Sequence, residues 1–214
     1  MIADNAPPGN TDPDGESLDL PAIEFQSPGR FQVHNPEPQL PQPEAWEPAP
    51  FVLGRHGPLE RFDTASEARA HALALLQQAR RSLCLYSPDL EPWLYHHSSV
   101  LEACTRFLLA HPQNRLRILL RDVGTAVKDG HRLLSLSRRL PSHCQIRKLH
   151  PEYPNEAVAF LLADATGFLL RPEPEQFAGY TLYHDPGRAR LRQVQFDQAW
   201  DSSLSDPDLR SFLL

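Results

Sequence analysis

The side chains that could do chemistry in this 214-residue chain are numerous in type and sparse in pattern. Ten histidines raise the question of a metal or an acid–base site, and the tightest groupings are His96-His97 and His143-Cys144. Adjacent residues on a strand point to opposite faces, whereas a metal requires three or four converging ligands, so no metal and no other cofactor is expected. Cys84, Cys104 and Cys144 are odd in number and lack C-x-x-C spacing. That usage suits free thiols in a reducing compartment better than a disulfide or zinc framework. The phosphate loop G-x-x-x-x-G-K-[ST], the dinucleotide loop G-x-G-x-x-G, the nucleophile elbow G-x-S-x-G and the zinc signature H-E-x-x-H are all missing from the sequence.

Two carboxylates and one basic helix remain as candidates. Asp89 and Asp122 each follow an apolar, strand-like run. In an open α/β sheet such positions face a ligand crevice, and they equally suit a carboxylate that caps the next turn through backbone N–H groups. Residues 129–139 read as a helix with Leu133, Leu134, Leu136 and Leu140 on one side. At 100° per residue, Lys128, His131, Arg132, Arg138 and Arg139 then share an opposite arc of roughly 120°. Such an arc is either an anion-binding face or an ordinary solvated surface. His131, Asp89 and Asp122 are also the candidate acid–base groups of a rebuilt active site.

The elements that must position these groups follow from periodicity. Thr64-Ala-Ser-Glu67 has capping-box spacing and opens a helix over 64–80, while Ser82–Ser87 reads as a buried strand. A helix over 98–110, a strand over 115–121, the basic helix and a strand over 144–149 follow. Strands over 157–163 and 167–171 flank the turn Asp164–Gly167, a further strand covers 180–183, and a last helix covers 188–202 with Leu191, Val194, Ala199 and Trp200 inward. The alternation predicts an α/β domain built on a mixed, mostly parallel sheet flanked by helices.

Proline and charge divide the chain. Eleven of its 22 prolines lie in the first 50 residues, where nine acidic residues face the single Arg30, a formal charge of −8. Residues 51–214 carry 20 basic and 18 acidic groups, a charge of +2. Residues 1–48 therefore read as a disordered, Pro-rich acidic tail that buries too little to offset its ordering entropy, and residues 49–214 as the folded domain. No basic leader precedes an apolar stretch, and no run approaches the about 18 apolar residues of a membrane span. A cytoplasmic protein without a membrane partner is the expectation.

The order strand Leu83–Ser87, helix, strand Leu116–Arg121, helix, strand Gln145–Leu149, then Ala157–Asp164 with its hairpin and Phe196–Trp200, resembles one repeat of the phospholipase D-like superfamily over about residues 60–203. Active members carry H-x-K-x-x-x-x-D on the strand before the hairpin. Asp164 matches the aspartate of that motif, but Ala157 stands where its histidine would be and Ala159 where its lysine would be. Alanine can neither attack phosphorus nor bind a phosphate oxygen, so the resemblance implies a fold whose chemistry is lost. Gly130-His-Arg-Leu-Leu and Arg138-Arg-Leu-Pro-Ser142 are similar to an uncharacterised bacterial domain found alone or fused behind acetyltransferases. Single-repeat relatives usually pair, which implies a homodimer.

These readings converge on a catalytically inactive phospholipase D-like binding or regulatory module, with an anionic ligand such as nucleic acid or a phosphorylated molecule as partner. The alternatives are a hydrolase or transferase with a rebuilt site, and an adaptor that engages a protein partner through the tail, with Phe25, Phe31 and Trp46 as anchors.

Overall fold

The computed structural model describes residues 44–154 and 157–209, so the expected tail up to residue 43, with Phe25 and Phe31, lies outside the described residues. Among these residues the elements run β1 (Leu59–Phe62), α1 (Ala65–Gln78), β2 (Ser82–Ser87), α2 (Pro92–Tyr95), α3 (Ser98–Ala110), β3 (Arg115–Leu120), α4 (Gly124–Lys128), α5 (Arg132–Arg139), β4 (Cys144–Lys148), β5 (Ala159–Ala163), β6 (Gly167–Arg171), β7 (Gly179–Leu182) and α6 (Pro186–Asp201). A short 3-10 turn at Pro207–Leu209 follows.

The strands form one mixed sheet in the order β1-β7-β6-β5-β2-β3-β4. The α/β architecture is as the alternation predicts. Parallel pairing, however, is confined to β2 with β3 and β3 with β4, and the other four pairings are antiparallel. The expectation of a mostly parallel sheet is thus corrected. A parallel pair needs a crossover, which α3 and the α4–α5 segment supply; from β5 to β7 the chain has no helix and can only reverse.

Helices cover both faces of the sheet, which explains why β5 reads Ala-Phe-Leu-Leu-Ala without alternation and is buried throughout. On one face Leu83, Leu85, Ile118, Leu161, Ala163 and Leu169 pack with Ala72 and Leu75 of α1, Val100 and Cys104 of α3, and Leu133 and Leu136 of α5. On the other, Cys84, Leu119, Phe160, Leu162 and Phe168 pack with Ala189, Phe196, Ala199 and Trp200 of α6. Leu191 and Val194, expected inward, are 72% and 50% exposed. They lie about 200° around the helix from Ala189 and Phe196 respectively, and the larger aromatic side chains choose the buried face.

Local signals set several boundaries. The Thr64 hydroxyl accepts from the Glu67 N–H at 3.3 Å, and the Glu67 carboxylate accepts from the Asp63 N–H at 3.3 Å, which starts α1. The basic helix expected over 129–139 begins only at Arg132, because Gly130 takes a φ of +58° just before it, and Lys128 ends a separate short helix, α4. β1, α2 and α4 were not anticipated. Trp46, expected in the tail, belongs to the domain: its ring stacks on His97 at 4.1 Å, Arg69 lies 5.0 Å over it, and its backbone N–H donates to the Ser99 hydroxyl at 3.1 Å. Among the described residues no helix is long and apolar enough to cross a membrane.

Candidate functional site

The three motif positions lie at different places. Asp164 occupies the β5–β6 turn at a φ of +54°, a left-handed conformation that Asp tolerates better than most residues. Its carboxylate accepts from the N–H groups of Arg80 at 3.1 Å, Arg81 at 2.8 Å and Ser82 at 3.1 Å. It therefore ties down the start of β2. Ala159 lies at the opposite end of β5, the central strand, buried and in register with Arg171 of β6. Ala157 precedes the strand and is exposed. The two alanines were expected together on the strand, and only one is there.

Beside Ala159 the structure places charges that sequence reasoning missed. Arg171 is 0% exposed and is paired with the carboxylate of Glu91, which also accepts from the Ser87 hydroxyl at 3.0 Å. The guanidinium further donates to the carbonyls of Gln176, at 3.2 Å, and Pro174, and it lies 4.8 Å over the Trp93 ring. Burial raises the Glu91 carboxyl above its ordinary value, and the Arg171 charge and the Ser87 hydroxyl oppose that rise. Leu90 and Glu91 both have positive φ, at 72° and 37°, so the backbone after β2 is held in an unfavourable conformation to deliver this carboxylate. The available signal was an arginine ending the apolar run Gly-Phe-Leu-Leu-Arg171.

Asp89 and Asp122 do follow the parallel strands β2 and β3, and both carboxylates are spent locally. Asp89 accepts from the Glu91 N–H at 3.0 Å and Asp122 from the Gly124 N–H at 2.9 Å, each closing a short turn. No hydrogen bond or ion pair joins either of them to His131 among the described residues.

The basic arc does not form one face. Lys128 and Arg139 are exposed, on α4 and α5. Arg138 reaches back to the carbonyls of Leu209 at 3.2 Å and Asp208 at 3.1 Å. His131 is 0% exposed and caps α5, its Nδ1 accepting from the Leu133 N–H at 3.2 Å. Burial, with help from His96 and Arg132, drives its pKa down to about 3, so it is neutral near pH 7. Its ring meets that of His96 edge-on at 4.8 Å. Burial and the Arg132 charge lower His96 and His97 as well. His131 Nε2, His96 Nδ1 and Arg132 Nε are buried without a hydrogen-bond partner among the described residues. No group of three His, Cys, Asp or Glu side chains among those residues could hold a metal.

Residues 64–212 match the family described as a domain of unknown function (DUF7931). No curated protein sequence matches the chain. Its fold is similar to that of TrmBL2, an archaeal chromatin protein described as showing a novel mode of DNA binding, with a TM-score of 0.51 and 10% identity over 69% of this chain and 54% of that one. The chain thus spans about half the length of that protein. It is also similar to Nuc, a phospholipase D family member from Salmonella typhimurium, with a TM-score of 0.47 and 11% identity over 68% of this chain and 94% of that one. NucT from Helicobacter pylori gives a TM-score of 0.47 and 9% identity over 70% and 99%.

Proposed function

The chain belongs to the family described as a domain of unknown function (DUF7931), and from that premise we propose that it is a phospholipase D-like module that binds an anionic ligand without turning it over. The observation that carries this reading is the central strand, where the position of a phosphate-binding lysine is the buried Ala159 and the neighbouring cation, Arg171, is already neutralised by Glu91. Without the motif histidine and with no free cation for a phosphate oxygen among the described residues there, the site lacks the means of the family's attack on phosphorus. The likeness to a DNA-binding chromatin protein points the ligand class toward nucleic acid. A domain charge of +2 favours a few local phosphate contacts over a broad basic surface. The three cysteines are buried free thiols, which fits a reducing, cytoplasmic setting.

The test is binding of single- and double-stranded oligonucleotides over a salt series, beside a phosphodiesterase panel on the same preparation. Binding that weakens with salt, with no turnover, is the expected result. Turnover would instead favour a hydrolase or transferase with a rebuilt site, and absence of both would favour the adaptor reading through the tail. The phospholipase D resemblance also carries the expectation of a homodimer, which a solution mass at micromolar concentration checks.

A further inference from the structure

Beyond the ends of β2 and β3, the α2–α3 junction meets the start of α5, and there three side chains keep buried nitrogens without partners among the described residues. His96 comes from the junction; His131 and Arg132 come from the cap and first residue of α5. The two imidazoles touch edge-on at 4.8 Å, and the Arg132 charge is felt by both. Buried polar atoms are nearly always satisfied, so unpartnered nitrogens on three neighbouring side chains call for a partner.

The hydrogen-bond chemistry identifies that occupant. His131 Nδ1 accepts from the Leu133 N–H, so in the neutral ring the proton sits on Nε2, which is a donor. A metal ion would need a lone pair there and is excluded by the same bond. Arg132 Nε is a donor in every state, and His96 Nδ1 is one in one of its two tautomers. A water molecule can accept from His131 Nε2 and Arg132 Nε, but it brings no charge to balance Arg132. An oxyanion accepts from all three. The neighbouring charges agree: Arg132 is the nearby cation, the N-terminal end of the eight-residue α5 adds its partial positive charge, and Asp129, which acts on His96, is the carboxylate that opposes them.

We propose that His96, His131 and Arg132 form the seat for a single phosphoryl group. The proposal deepens the anion-binding reading above and rests on it. The phosphoryl group is either the terminal phosphate of a small molecule or nucleic-acid end, or an internal phosphodiester of a nucleic acid. A fully buried Nε2 donor favours a group that can enter end-on.

Titration of the full-length protein with inorganic phosphate, followed through its histidine NMR signals, tests the seat without any substitution. The signals of His96 and His131 should shift together and saturably. Three variants localise the effect. His131→Asn keeps an acceptor for the Leu133 N–H and removes only the Nε2 donor, His96→Phe keeps a ring against His131, and Arg132→Gln removes the charge. Each should weaken phosphate binding by about tenfold or more, the loss of one charge-assisted or buried hydrogen bond, while Arg139→Glu should not. A terminally phosphorylated oligonucleotide that competes with phosphate better than its unphosphorylated twin assigns the seat to chain ends; equal competition assigns it to internal phosphodiesters. If the wild-type histidine signals do not respond to phosphate, and oligonucleotides bind the wild type and all three variants equally, the seat is overturned and the anion-binding reading stands. If oligonucleotides fail to bind the wild type as well, that reading falls too.

Discussion

Arg171 and Glu91 are each expensive to bury and are stable only together, so the two should respond to substitution as one unit. Arg171→Leu would leave the buried Glu91 without its counter-charge, and should lower stability by about 3–5 kcal/mol in denaturant unfolding. Replacing both residues with apolar ones of similar volume should cost less than the single change, because no unpaired charge remains. His131 gives a pH signature. Its pKa falls from 6.5 to about 3 on folding, so between those values the unfolded chain takes up the proton first. The stability it contributes is complete above about pH 6.5 and is lost as the pH falls toward about 3. Melting curves across that window should therefore show a weaker acid dependence in His131→Asn than in the wild type. Neither role was legible in the sequence: His131 looked like a member of a basic arc, and its burial depends on where Gly130 turns the chain.

At the scale of elements, Gly130 separates α4 from α5 at a φ of +58° with nothing within 4 Å of an added Cβ. Gly130→Ala should cost only the left-handed backbone strain, about 1–2 kcal/mol. Gly179→Ala should cost more, since its Cβ would lie 2.5 Å from the Leu170 carbonyl oxygen and 2.7 Å from the Phe62 ring, prising β7 from its neighbours. Comparing the two melting temperatures with that of the wild type checks the order. The strands β2, β3 and β6 and the helices α1 and α3 were readable from apolar runs, capping residues and prolines. β1, with its Leu-Glu-Arg-Phe sequence, was not. It is an edge strand whose existence depends on pairing with β7, a contact more than a hundred residues away in the chain.

For the molecule as a whole, the charge division is the lever. The segment before residue 51 carries −8 and the remainder +2, so a tethered polyanion is expected to compete for an anion-binding site on the domain. Removing residues 1–41, which spares Trp46 and its stack on His97, should strengthen oligonucleotide binding at low salt. The gain should vanish as salt rises, because exposed charges are screened beyond about 8 Å at physiological ionic strength. Equal binding by the full and shortened chains at every salt concentration would show that the tail does not compete.

Composition and spacing by themselves determined the α/β class, the division into an acidic Pro-rich segment and a near-neutral domain, and most of the buried strands. These properties are local or additive, so they survive without knowledge of contacts. Tertiary structure alone decided the rest. It set the antiparallel half of the sheet, the pairing of Arg171 with Glu91 across 80 residues, and the meeting of His96 with His131. It also turned Leu191 and Val194 outward. Each depends on which distant surfaces compete for burial, and that competition is settled only when the whole chain packs.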